Sequence, residues 1–436
     1  ERSPSPATIP AMAVIVQKFG GSSVADVTKM RRCAQWVLRA RDAGQGVVVV
    51  VSAMGKTTDR LVELAGEAWA DAPAGLDGIP AGPPRRELDV LLASGEQVSA
   101  SVFAMVLESM GAPATSVLAS QIGMRTDPDH TRARIESLDA RVVDRLLGEG
   151  RVVVAAGFQG VTEEGDITTL GRGGSDTTAV AIAAAVGAEA CEIYTDVDGV
   201  YTADPRRVPT ARRRDWVSYE AMLEMASLGA KVLHPRAVLF GARYGVPIHV
   251  LHSQRDVPGT LISKEFEGME RIEVTGVVLK EDLGRVTLTG LPNEPGVVAR
   301  LFADLAAAGV VVDDIIQTVE TAGQGAADDR SATVSFTVDH ADLAEVRPVL
   351  DTALDKIGGG RAAIDVGFCK VSAAGVGVRS HAPIAARMFE ALAAAGINIA
   401  NITTSEIKVS VILDAADADR ALPIVHDAFE LGEGQR

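Results

Sequence analysis

The stretch GRVTLTGLPNEPGVVARLFADLAAAGVVVDDI, from Gly284 to Ile315, is answered by CKVSAAGVGVRSHAPIAARMFEALAAAGINIANI, from Cys369 to Ile402. Phe302 matches Phe389 and Gly309 matches Gly396, a constant offset of 87 (389 − 302; 396 − 309). Such self-similarity marks a duplicated supersecondary unit. Each copy reads strand, turn, helix, strand, and then a further strand, Ser331–Val338 in the first and Lys408–Leu413 in the second. A helix after that strand completes two β-α-β-β-α-β modules.

Upstream the texture differs. AVIVQKF, GVVVVVSAM, RVVVAAGF, CEIYTDV and PIHVL are short continuous apolar runs, separated by amphipathic stretches such as ADVTKMRRCAQWVLRAR. Strands buried on both faces and separated by helices indicate a mostly parallel sheet sandwiched by helices. The expected organisation is a lead or expression remnant without structure at 1–11, an α/β catalytic domain at 12–263, and a linker with the first strand of the second region at 264–282. The two modules follow at 283–360 and 361–431, with a tail at 432–436. DAPAGLDGIPAGPPRR, from Asp71 to Arg86, reads as a surface connector between helices.

With 436 residues and a formal charge of −16, the chain can bury several cores but has no net basic face for nucleic acid. Cys33, Cys191 and Cys369 are far apart and form no C-x-x-C pair, so neither a zinc site nor a disulfide framework is expected and a cytoplasmic setting fits. The longest apolar runs are too short to cross a bilayer.

Several motifs carry chemistry. In QKFGGSSV, Lys18 ends a strand, Gly20 and Gly21 let the backbone approach an anion, and Ser22 and Ser23 are expected to lead into a helix whose N-terminus favours phosphate. TTLGRGGSDTTA repeats the design and adds Arg172, a planar fork for a carboxylate, with Ser175 and Asp176, the latter able to receive Mg²⁺. In IYTDVDGVYTADPRRV a polar loop follows a strand end, where open α/β sheets bind ligands. Glu96, in LASGEQVS, is placed at a helix start and suits an ammonium group. SLGAKVLHPRAV supplies Lys231, while His234 has no second histidine at ligand spacing and is read as structural. MGKTTD lacks the first glycine of a P-loop, because residue 50 is Val50.

Together VQKFGGSSV, VVVSAMGKTTD, LLASGEQVS, GFQG, TTLGRGGSDTTA, IYTDVDGVYTADPR and GAKVLHPRAV occur in the order and spacing of the aspartokinases, and the duplicated tail resembles their paired ferredoxin-like ACT domains. The resemblance implies an amino-acid-kinase fold and an ATP- and Mg²⁺-dependent phosphorylation of the side-chain carboxylate of L-aspartate, the first step towards lysine, threonine and methionine. Carried over, Lys18, Gly21 and Asp176 serve the transferred phosphoryl group. Ser52, Thr58, Glu96, Phe158, Arg172 and Ser175 line the aspartate pocket. The nucleotide lies along Lys18, Gly20, Gly21, Ser22, Thr195, Asp196, Tyr201, Arg206 and Lys231.

The same resemblance implies lysine or threonine as effectors, bound between ACT domains of partner chains around Asn293, Pro295, Gly296, Asp314, Ile315, Gln317, Ile399, Ser405 and Glu406. Thr318, Ala382-Pro383 and the run before Ser331 depart from the family pattern, and Pro383 offers no N–H to an effector. The implied assembly is a homo-oligomer, or an α₂β₂ form whose small subunit starts within the same gene near Met269. Two alternatives remain at this point: a kinase of another amino acid on the same fold, and a non-catalytic amino-acid sensor.

Overall fold

The computed structural model describes residues 12–71, 82–230, 232–264, 273–320, 331–376 and 382–432. The expectations for residues 1–11, Lys231 and Met269, and for most of the connector after Asp71, lie outside the described residues. The chain divides into two units, one of 1–201 with 213–269 and one of 202–212 with 270–436.

The first half of the first unit runs β1 (Val14–Phe19), α1 (Val27–Asp42), β2 (Gly46–Val51), α2 (Thr57–Trp69), α3 (Arg85–Ser109), β3 (Ala114–Val117), β4 (Arg125–Thr126), β5 (Ile135–Ser137) and α4 (Arg141–Gly148). There follow β6 (Val152–Ala156), β7 (Gln159–Val161), β8 (Ile167–Thr169), α5 (Gly174–Val186), β9 (Ala190–Thr195), β10 (Trp216–Ser218), α6 (Tyr219–Ser227), α7 (Pro235–Tyr244), β11 (Ile248–His252) and β12 (Thr260–Ser263). The main sheet has the order β10-β12-β11-β9-β1-β2-β6-β3 and is parallel except between β11 and β12. A smaller, four-stranded sheet has the order β5-β4-β7-β8.

Local chemistry explains these elements. β2 is GVVVVV with every residue buried, as a central parallel strand requires. α1 buries Met30, Cys33, Ala34 and Val37, one helical stripe. Phe19 stacks on Phe103 at 5.6 Å and on Tyr194 at 4.8 Å, closing the core between β1, α3 and β9. Each such ring contributes roughly 2–3 kcal/mol by leaving water. α3 is apolar and long enough to cross a membrane, beyond what the uninterrupted apolar runs indicate. More than half of its most apolar stretch is nevertheless buried, with Asp89, Glu96 and Ser99 among its buried residues, so it is a core helix.

From β1 the chain builds outwards to β2, and after α5 it returns to the other flank of β1 as β9. The carboxyl ends of β1 and β9 therefore diverge at a switch point, where such sheets open a crevice.

The second unit holds β13 (Glu273–Pro292), α8 (Val297–Ala307), β14 (Asp313–Glu320), β15 (Ser331–Asp339), α9 (Leu343–Ile357), β16 (Arg361–Val376), α10 (Ala382–Ala394), β17 (Asn401–Ser405), β18 (Lys408–Asp414) and α11 (Ala418–Ala428). They form one six-stranded sheet, β14-β15-β13-β16-β18-β17. β13 and β16 run antiparallel through both repeats, with register shifts between Lys280 and Gly284. At those breaks Asp282 has φ 54° and Gly367 φ 88°.

This pairing corrects the expected boundaries. Arg361–Val366 closes the first repeat, beside Thr289–Gly284, and Ile364 packs on its core with Val286, Leu301 and Phe336. Glu273–Lys280 lies where the first strand of the second region was expected, and its partner is Lys370–Val376, so that it supplies the fourth strand of the second repeat. Residues 202–212, expected within the catalytic domain, belong to the second unit. Gly432, expected in the tail, forms a bridge with Ala211.

Candidate active site

Lys18 is the penultimate residue of β1, in register with Val50 of β2 and Ile193 of β9. Its ammonium lies 2.6 Å from Oδ1 of Asp176, and both side chains are nearly enclosed. Asp176 stands in the first turn of α5. Sequence reasoning assigned both residues to one centre, and the fold brings them into contact.

The turn after β1 is shaped by absent side chains. A Cβ on Gly21 would stand 2.8 Å from the Ala53 carbonyl oxygen, and the Gly55 amide donates to the Gly21 carbonyl at 3.0 Å. The loop after β2, with Ser52 and Ala53, is thereby locked to the loop after β1. One expectation needs correction: Ser22 and Ser23 do not open a helix. The Ser23 amide bonds to the Gly20 carbonyl in a turn, and α1 begins only at Val27, capped by Asp26. The aspartate side chain is the better cap and already satisfies the Lys29 amide.

α5 is different, because its N-cap is Gly173 with φ 67° and no side chain caps it. The Gly174 amide donates to the Gly171 carbonyl at 3.0 Å, and the helix start keeps its positive dipole end uncapped by any side chain, as an anion would favour. Gly173 is required as well by space, since a Cβ there would collide with the His234 ring. His234 caps α7 by accepting from the Arg236 amide, and burial holds its pKa below the usual value. Its structural reading agrees with these contacts.

Glu96 sits in the middle of α3, not at a helix start. The preceding residue, Gly95, is a close-packing site where a Cβ would come within 2.9 Å of the Ala53 methyl. Glu96 accepts the Ala53 amide at 2.9 Å through one oxygen, while its other oxygen is buried without a hydrogen-bond partner. Burial pushes its pKa up to about 7. A half-satisfied buried carboxylate is costly unless a cation or donor completes it.

Ser175 is buried against Gly157, whose Cβ would approach its Oγ to 2.8 Å. Phe158 has φ 69°, stabilised by its amide donating to Thr178 Oγ1 at 3.2 Å and its carbonyl accepting from Leu170 at 2.8 Å. Arg172 is exposed between Gly171 and Gly173. Thr58 lies in the first turn of α2. Beyond β9, the Thr195 hydroxyl donates to Asp196 at 3.2 Å, and Tyr201 forms a bridge with Arg213. Arg206 falls in the second unit, exposed and paired with Asp204 at 2.9 Å.

Among the expected effector residues, Asn293, Pro295 and Gly296 form the exposed turn before α8, while Ile315 and Gln317 lie exposed on β14. Asp314, with φ 50°, is half-buried with its side chain enclosed, and it accepts from Lys370 at 3.0 Å and Thr403 at 3.0 Å. Asp313 also pairs with Lys370, which tethers β14 to β16. Ile399 is half-buried, the Ser405 hydroxyl accepts the Ile407 amide at 3.4 Å, and Glu406 lies in the turn between β17 and β18. Pro383 occupies the first turn of α10, where no intrahelical N–H is needed.

A parallel sheet with glycine-rich turns at its switch point, together with two β-α-β-β-α-β repeats sharing one sheet, defines a small-molecule kinase with a regulatory region. Comparison with known proteins agrees. The amino acid kinase family model matches residues 13–252, and ACT domain models match 285–355 and 371–429. The aspartate kinase of Stutzerimonas stutzeri is 48% identical over 421 residues, covering 96% of this chain and 98% of that protein. A Thermus thermophilus aspartokinase is 46% identical over 420 residues, covering 96% and 99%. The structure of E. coli aspartokinase III with aspartate and ADP is similar with a TM-score of 0.76 at 27% identity, over 95% of this chain and 99% of that one. Its complex with lysine and aspartate gives 0.71 at 28% identity, over the same shares. The chain belongs to the aspartokinase family, and it is an aspartate kinase with an ACT-type regulatory region.

Proposed function

We propose that Lys18, Asp176 and the uncapped start of α5 form the centre in which the side-chain carboxylate of L-aspartate attacks the γ-phosphoryl group of ATP. The observation that carries this reading is the enclosed Lys18–Asp176 pair at the switch point. The attacking carboxylate has a solution pKa of about 4 and is already ionised, so no general base is required. The work left to the protein is to align two anions and to stabilise charge on the phosphoryl oxygens. Asp176 holds the Lys18 ammonium in place, and the Gly20-Gly21-Ser22 turn and α5 amides face the same charge.

Glu96 receives the substrate ammonium on its unpaired oxygen, while Arg172 takes the α-carboxylate, with Ser52, Thr58, Phe158 and Ser175 around them. Thr195, Asp196, Tyr201, Arg206 and Lys231 are assigned to the nucleotide. A Mg²⁺ arriving with ATP would be held mainly by phosphate oxygens, with Asp176 the protein carboxylate placed to receive it. That ion would supply further neutralisation of phosphate charge.

Lysine, threonine or both act as feedback effectors on the ACT repeats, in a homo-oligomer or an α₂β₂ assembly. The three cysteines are buried and free, in keeping with a reducing cytoplasm. Aspartyl-hydroxamate formation from Mg-ATP and aspartate in the presence of hydroxylamine, which displaces phosphate from the acyl phosphate formed, tests the reading, with lysine and threonine added singly and together. Product whose formation is suppressed by the effectors supports it, and absence of product overturns the acceptor assignment. Lys18→Ala should lower kcat by 100-fold or more, since losing such a donor costs roughly 3 kcal/mol of barrier; near-normal turnover would remove Lys18 from the centre.

A further inference from the structure

Asp89, in the first turns of α3, is a carboxylate with no exposed surface. Burying such a charge is unfavourable by several kcal/mol unless donors surround it. Its donors come from two short segments. One oxygen accepts the Thr169 hydroxyl at 2.5 Å and the other accepts His130 Nδ1 at 2.7 Å, while the Thr131 amide reaches both at 3.0 and 3.1 Å.

Thr169 ends β8, two residues before the Gly171-Arg172-Gly173 turn. Thr131 is held at φ 71°, which a threonine adopts only when its surroundings impose it. The two segments touch repeatedly. The Ala133 amide donates to the Thr169 carbonyl at 3.0 Å, and a Cβ on Gly171 would come within 3.0 Å of the Thr131 carbonyl oxygen. From the other side, Arg236 donates to the Leu170 carbonyl at 2.6 Å and the Ala133 carbonyl at 3.0 Å. The base of the arginine turn is thus held between one buried anion and one half-buried cation.

We infer that Asp89 is a positioning residue for aspartate recognition, fixing segments 130–133 and 169–171 so that Arg172 presents its guanidinium in one place. The inference rests on the proposed role of Arg172. An exposed arginine on a glycine-flanked turn has large conformational freedom, and restricting its backbone lowers the ordering cost of gripping a carboxylate. Asp89 acts on the substrate α-carboxylate through that turn and touches neither substrate.

Asp89→Asn, Arg172→Ala and the double variant of the full chain test this, with KM for aspartate, KM for ATP, kcat and thermal midpoint measured for each. Asp89→Asn keeps the shape but replaces an acceptor oxygen by an amide that faces donors. The expected result is an aspartate KM raised about tenfold or more, in the range of a lost charged hydrogen-bond array, with ATP KM unchanged. The double variant should be little worse than Arg172→Ala alone. Equal damage to both substrates, or full additivity with Arg172→Ala, would overturn the inference and leave Asp89 a purely structural residue. An Arg172→Ala effect that Asp89→Asn does not share sinks the inference alone, whereas an Arg172→Ala protein with normal aspartate KM sinks the site reading beneath it. Should Asp89→Asn fail to fold, Thr169→Val removes one donor from the same array and is judged by the same criteria, with a smaller rise expected.

Discussion

Glu96 makes the proposed aspartate site sensitive to pH. Its folded pKa, about 7, lies above that of an ordinary glutamate because burial penalises the charged form. Between pH 4.5 and 7 the folded chain therefore holds the proton more tightly than the unfolded chain does. Stability falls as pH rises through this window, since the slope follows protons bound unfolded minus folded. Glu96→Gln should leave the ligand-free protein more stable than the parent at pH 8, by on the order of 2–3 kcal/mol, and equal to it near pH 4. Thermal melts at both pH values check this, and a constant difference would show that Glu96 is not the group. Aspartate binding should also tighten from pH 6 to 8 as the carboxylate ionises to meet the ammonium. Much of the proposed site was drawn from the sequence: Lys18, Glu96, Arg172 and Asp176 stand in motifs whose residue types suit the chemistry assigned to them. Asp89 and His130 were not, because a lone aspartate in ELDVLL and a histidine in DPDHTR announce nothing until the fold brings them 2.7 Å apart.

Among the elements, strands defined by their own composition were legible and partnerships between them were not. β2 and β6 could be read from uninterrupted valines and alanines, and α5 from a run of small residues after glycines. The helical stretch read from Ala25 begins in the structure at Val27, where Asp26 is the residue that caps. The fourth strand of the second repeat escaped because pairing between Glu273–Lys280 and Lys370–Val376 joins segments about a hundred positions apart, and no local pattern encodes it. This has an experimental consequence. A fragment of residues 269–436 contains all six strands and should melt cooperatively, whereas 283–436 lacks the strand carrying the buried Val274, Val277 and Val278 and should not. Circular dichroism melts of the two fragments decide it, and equal cooperativity would show that the strand is dispensable.

Across the whole molecule, the chain leaves the first unit after Tyr201 and returns to it at Arg213. Between them, Thr202 bonds His426 at 2.9 Å, its carbonyl accepts the Val277 amide at 2.7 Å, and Arg207 pairs with Glu281 and Asp419 at 2.6 and 2.7 Å. Single exposed ion pairs contribute little, but here one arginine joins β13 to α11 through a segment that continues directly from the proposed nucleotide loop. Arg207→Ala should weaken inhibition by the effector several-fold while leaving uninhibited kcat near the parent value, because a coupling of 1–3 kcal/mol is typical of such linkage. Inhibition curves measured at saturating substrates check this; an unchanged effector midpoint and depth would exclude the segment from the response. The crossed strands of the second unit carry a different implication, one about inheritance. Because the second repeat draws its closing strand from ahead of the first, and β13 and β16 each run through both, neither repeat can be cut out, exchanged or grafted without opening the other, so recombination can move this region only as a pair.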